Sequence, residues 1–154
     1  MSQIVPTTLR NVLLTLQSCA RSSSRLNSVF NEIYIGPSSE FGAHEHTYPL
    51  LVVLTGKSLI EWGNYVINID CMVVDKLDQD RTNFIDVQSD TLQMAGDLIS
   101  EFRDQLTVYG FTLDEESISL DPVDEITTDY LSGWTFTLTI RYMADFDQTK
   151  STLA

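Results

Sequence analysis

The chain has 154 residues, 43% of them hydrophobic, enough to build the core of one ordinary domain. Nine Lys and Arg stand against 22 Asp and Glu, a formal net charge of −13. That balance argues against duplex DNA as a ligand, because groove binding replaces counterions with Lys and Arg. It also suits a wall past which DNA slides without sticking, a DNA mimic that occupies a basic partner, or plain solubility.

Residues 7–20 place Leu9, Val12, Leu13, Leu16 and Ala20 at helical spacing, which predicts an amphipathic helix entered through Pro6 and ended by the polar run from Arg21 to Arg25. A strand is predicted over 29–35, stopped by Gly36 and Pro37, and residues 40–47 read as an exposed loop. The continuously apolar run at 48–54 predicts a short buried strand, and residues 55–64 read as its connection to the next. In that next strand Tyr65, Ile67, Ile69, Cys71 and Val73 share one face, and Asn64, Val66, Asn68, Asp70 and Met72 the other. A second helix is predicted over 90–109, with Asp90 and Gln93 as a capping-box-like pair and Gly110 as its stop. Its apolar stripe is Leu92, Ala95, Ile99, Phe102 and Leu106, while Asp97, Glu101 and Asp104 look to water. A strand near 117–120 then leads through an acidic loop to the final strand. There Trp134, Phe136, Leu138, Ile140 and Tyr142 alternate with Thr135, Thr137, Thr139 and Arg141. Residues from about 145 read as a mobile tail.

Runs of strands separated by helices predict a single α+β domain over 1–154. Its mostly antiparallel sheet has four to five strands, with two amphipathic helices packed on one face. The segment from Met1 lacks the basic start and long apolar run of a signal peptide, and the apolar run at 50–54 is too short to span a bilayer. Cys19 and Cys71 sit in apolar patterns and make no disulfide framework, so synthesis in a reducing cytoplasm is expected.

Chemical motifs are scarce. The seven glycines form no phosphate loop, no serine sits in a nucleophile elbow, and the acidic stretches lack the order of a calcium loop. His44 and His46 are the candidate metal ligands, flanking Glu45. Zinc needs three or four ligands, so a further one would have to arrive through folding. The competing reading is a polar surface loop. Trp62, Trp134, Phe136 and Tyr142 are expected in the core, with a ligand pocket as the alternative. No cofactor and no catalytic residue is expected.

Charge is unevenly spread. Arg10, Arg21 and Arg25 face no acid within residues 1–31, whereas residues 104–140 hold eight acids and no Lys or Arg. Tyr130 and Leu131 form an apolar pair in the acidic turn that includes Asp124, Glu125 and Asp129. These residues, with Phe41, His44 and His46 of the loop at 40–47, are the expected contact surfaces.

The segments "YPLLVVL", "YVINIDCMVVD", "SDTLQMAGDLISEFRD" and "LSGWTFTLTIRY" resemble small ring proteins of the neck and tail of tailed bacteriophages, most of all those of crAss-like phages. The element order is similar to that of tail-terminator and tail-completion proteins. The resemblance covers about half of the chain. It implies a structural, non-enzymatic virion protein made in the host cytoplasm and assembled as a ring, a hexamer or dodecamer, at the head–tail connector or upper tail. Its partners would be its own copies and neighbouring connector, portal-side or tail-tube proteins. Genomic DNA would pass through without specific binding, and no membrane would be involved. The alternatives are an acidic DNA-mimic or inhibitor-type binding protein and a small metal-binding domain.

Overall fold

The computed structural model describes residues 9–22, 30–41, 46–78, 80, 82–108, 110–114, 118–124 and 130–143. In chain order these form α1 (Leu9–Ser22), β1 (Glu32–Ile35), α2 (Ser38–Phe41), β2 (Leu50–Glu61), β3 (Asn64–Lys76), α3 (Phe84–Val108), β4 (Thr112–Leu113), β5 (Asp121–Asp124) and β6 (Leu131–Met143). The fold is α+β. The sheet has six strands in the order β1-β2-β3-β6-β4, with β5 also on β6. Only β1 and β2 run parallel; the other pairs are antiparallel. The expected four to five strands are thus exceeded by short pieces: β4 has two residues, and β5 lies at Asp121–Asp124 rather than near 117–120. The expected tail from about 145 lies outside the described residues.

β3 and β6 form the centre, paired from Asn64↔Met143 to Lys76↔Leu131 without a break in register. The alternation read from both strands holds. Ile67, Ile69, Cys71 and Val73 meet Phe136, Leu138 and Ile140 in the main core. On the opposite face the polar side chains pair across the strands. Thr137 Oγ1 donates to Asp70 Oδ1 at 2.7 Å, and Thr139 Oγ1 donates to Asn68 Oδ1 at 2.7 Å.

α3 lies on the apolar face. Val87, Thr91, Met94, Ala95, Leu98, Phe102 and Leu106 recur at helical spacing and are buried. Thr91 sits in this stripe with its hydroxyl satisfied, because it donates to the Val87 carbonyl at 2.6 Å. The helix starts six residues before Asp90, so Asp90 is no cap, and Leu92 of the expected stripe faces water. Gly110 ends it as expected, with φ 81°. The Phe111 N–H donates to Leu106 O at 3.1 Å and the Gly110 N–H to Thr107 O at 3.2 Å, the paired bonds of a Schellman motif. Two side-chain bonds tie the start of α3 to β6: Trp134 Nε1–H donates to Gln88 O at 2.9 Å, and the Gln88 amide donates to Ser132 Oγ. α1 packs on α3. Its buried residues are Val12, Leu16, Cys19 and Ala20, which join the main core, whereas Leu9 of the expected stripe is exposed.

A second, smaller apolar cluster covers the other face of the sheet near β1. Leu50, Val52, Val74 and Leu131 form it, with Tyr34, Phe41, Tyr48, Leu54 and Met72 against it.

Two glycines give opposite expectations. A Cβ on Gly133 would lie 1.8 Å from the Val73 carbonyl oxygen, so the close approach of β3 and β6 there requires glycine. A Cβ on Gly96, inside α3, would meet nothing within 4 Å. Gly133→Ala should lower unfolding stability by about 3 kcal/mol. Gly96→Ala should raise it by about 0.5–1 kcal/mol, because alanine loses less backbone entropy in a helix. Urea titrations of both variants check the pair.

Candidate functional site

The structure scatters the expected contact residues. Arg10 and Arg21 are exposed on α1. Arg25, His44, Glu125 and Asp129 lie outside the described residues, and Asp124 is placed by its backbone opposite Ser132 in the β5–β6 ladder. Tyr130 is partly exposed, with φ 52°, and its carbonyl accepts the Leu77 N–H at 2.7 Å. Leu131 is not a surface residue. It begins β6 opposite Lys76 and is buried with Leu50, Val52 and Val74. Its acidic neighbours in sequence conceal the fact that the strand has already started.

His46 is also buried, its side chain 6% exposed, rather than on a polar surface loop. Its ring stacks on Phe41 at 4.5 Å between centroids and meets Tyr34 edge-on at 5.7 Å. Nδ1 lies 2.5 Å from Glu32 Oε2, and Nε2 lies 2.7 Å from the Phe41 carbonyl oxygen. Both neighbours only accept hydrogen bonds, so the imidazolium form, with two N–H donors, satisfies both. Burial by itself would lower the His46 pKa. The bonds to Glu32 and Phe41 and the Glu32 charge outweigh it, and the pKa lies above the ordinary 6.5. Burial would likewise raise the Glu32 pKa, but the bonds from His46 and the Thr47 N–H hold it below 4.5. With both ring nitrogens engaged, His46 fixes the loop before β2 against β1, and binding a metal would require breaking one of these bonds. No cluster of three or more His, Cys, Asp or Glu suited to a metal occurs among the described residues. Burial raises the Cys19 thiol to about 12 and Cys71 further still, so neither is a ready nucleophile.

The most exposed apolar surface lies in the segment read as a connection. β2 runs on through it to Glu61, and the hairpin closes at Trp62 and Gly63. Both have positive φ, 53° and 78°, as a two-residue type I′ turn requires. β1 pairs only with Leu50–Val53, so the outer half of β2 runs past it as a sheet edge and, with the start of β3, which stays laddered to β6, forms an arm. Trp62, expected in the core, is 94% exposed at the tip. Ile60, opposite Tyr65 in the ladder, is 66% exposed. Tyr65 stacks on Tyr142 at 6.3 Å, and Tyr142 meets Phe111 of the core at 5.3 Å. An aromatic row thus carries the apolar face of the sheet out to the tip. The signal was present in the sequence as a tryptophan followed by Gly-Asn between two apolar runs, but Gly56 and Lys57 interrupt the first run. They form a β-bulge, two residues opposite Asn68.

The chain matches no protein-family model and no curated protein. Among the described residues no helix is long and apolar enough to cross a membrane.

Two expectations follow. The His46 contribution to stability is complete below pH 6.5 and is lost as pH rises through the raised folded pKa. The Glu32 contribution is complete above pH 4.5 and is lost as pH falls through the lowered one. The Tm advantage of the wild type over Glu32→Gln should therefore peak between pH 4.5 and 6.5 and shrink on both sides; a flat difference would contradict the pairing. Separately, an exposed tryptophan in a left-handed conformation costs roughly 1 kcal/mol. Trp62→Asn, which creates the favoured Asn-Gly turn, should leave the melting temperature unchanged or raise it by a few degrees.

Proposed function

We propose that the chain is a structural virion protein of a tailed phage, forming a ring around the DNA channel at the head–tail connector or upper tail. The observation that carries this reading is the arm: a strained, solvent-facing Trp62 with Ile60 and Tyr65 beside it. Such a residue adds nothing to the fold that bears it, and large aromatic side chains at exposed tips are typical anchors of protein interfaces. The sequence patterns that resemble neck and tail ring proteins supply the phage context. The charge of −13 suits a channel wall, because it repels the DNA backbone and lets it pass. The β3–β6 ladder gives the stiffness that a ring subunit needs.

Light scattering and negative-stain imaging of the purified protein, alone and with neighbouring neck and tail proteins, test the reading. The expected result is a closed ring, alone or on a partner, together with detection of the chain in purified virions by mass spectrometry. A chain missing from virions and solitary beside every such partner would end this proposal.

A further inference from the structure

The arm has a counterpart elsewhere on the molecule. The first half of α3 turns a second apolar row to solvent: Ile85 is 74% exposed and Leu92 43%. With Ser89 and Gly96 they follow at spacings of four, three and four, one face of a helix. Gly96 leaves open space beside Leu92 where a side chain would stand. Asp86, Asp90 and Asp97 flank this row, and no Lys or Arg occurs between Phe84 and Asp97. The arm is the converse. Its charged side chains are Lys57, Glu61, Arg141 and, at its base opposite Leu54, Asp70; Glu61 pairs with Arg141 at 3.8 Å. In a chain of net charge −13 the arm is balanced in charge, and from Lys57 to the tip its one acid is the paired Glu61.

The two surfaces cannot meet within one molecule. Gln88 holds the start of α3 at Ser132 and Trp134, opposite Asp75 and Val73 of β3. The arm tip adjoins Asn64, at the other end of the same strand. Ten residues of strand, about 30 Å, separate the tip from this anchor, and Leu92 and Gly96 lie four and eight helical residues, about 6 and 12 Å, nearer, which still leaves the tip out of reach.

We infer that the arm tip of one copy docks on the outer face of the first half of α3 of a second copy, with Trp62 seated against Leu92 in the space above Gly96. This contact rests on the assembly reading above and names its surfaces. It is heterologous, since one patch meets a different patch, so it propagates from copy to copy and closes only as a ring. Trp62, Ile60 and Tyr65 expose on the order of 400 Å², about half of what each partner gives to a standard interface. The remainder falls to polar contacts at the turn and along the arm, where Lys57, about 16 Å from the tip, meets the α3 carboxylates. A tryptophan knob inside a polar rim is the usual arrangement of an energetic anchor.

Paired variants test it. Trp62→Asn disables the tip and Leu92→Glu disables the receiving face; both positions are exposed, and circular dichroism confirms folding. Native mass spectrometry and light scattering are read over a concentration series. The expected result is multimers for the wild type and at least tenfold weaker self-association for each variant alone. An equimolar mixture should form a dimer of one of each that grows no further, because it retains one intact tip and one intact face. A mixture that stays monomeric while the wild type multimerises would refute the contact and leave the assembly reading standing, as would variants that multimerise like the wild type. A wild type that stays monomeric alone, yet forms rings on a virion partner, would likewise refute only the contact between copies. Absence from virions would remove the assembly reading as well.

Discussion

The molecule depends on the register between β3 and β6. Their side chains alternate with period two, so a slip of one residue would carry Phe136, Leu138 and Ile140 out of the core and put Thr135, Thr137 and Thr139 into it. Two further features lock this register. Gly133 admits the Val73 carbonyl at a distance no other residue would allow. On the polar face, Thr137 and Thr139 hydrogen-bond to Asp70 and Asn68 only in this alignment. The bonds from Trp134 and Gln88 then fix the start of α3 on the same strand, which makes the position of the helix a consequence of the ladder.

The sheet is not used evenly along its length. Near β1 both faces are covered, the main core on one side and the cluster of Leu50, Val52, Val74 and Leu131 on the other. The partly buried His46–Glu32 pair closes the edge of that second cluster. Beyond β1 the second cluster ends, and although Ile67, Ile69, Leu138 and Ile140 remain in the main core, Leu59, Ile60 and Trp62 of the continuing β2–β3 hairpin stand in water. The sheet is covered on both faces at one end and offers an apolar edge at the other, a division suited to a subunit that must fold first and assemble afterwards.

Much of this was legible from residue patterns. The alternation of Thr and large apolar residues in β6 is long enough to leave one reading, and Gly110 marks the end of α3 unambiguously. The start of α3 is hard to see because Phe84, Ile85 and Val87 follow a polar loop; Asn83 stands at the cap position, its carbonyl accepting the Val87 N–H, but directs its side-chain oxygen to the Asp78 N–H rather than into the helix. Leu92 is outside the stripe because its neighbour Thr91, polar in sequence, takes the buried place. Leu131 and His46 are hidden for a common reason: their polar sequence neighbours suggest a surface, whereas burial is decided by distant partners such as Val74 and Glu32. The arm was missed because a bulge breaks its period and because exposure of a tryptophan has no local signature. Sequence periodicity reports the face a residue shares, not whether anything covers that face.

The bulge at Gly56 and Lys57 has a mechanical consequence. Bulges locally disrupt the ladder and let a strand bend. The tip at Trp62 lies five residues beyond it, about 16 Å along the strand. β3 stays laddered to β6 as far as Asn64, so the hairpin does not hinge as a whole. The give is confined to the outer strand: β2 can re-aim Leu59 and Ile60 by small amounts while the inner pair holds the tryptophan turn on a firm rail.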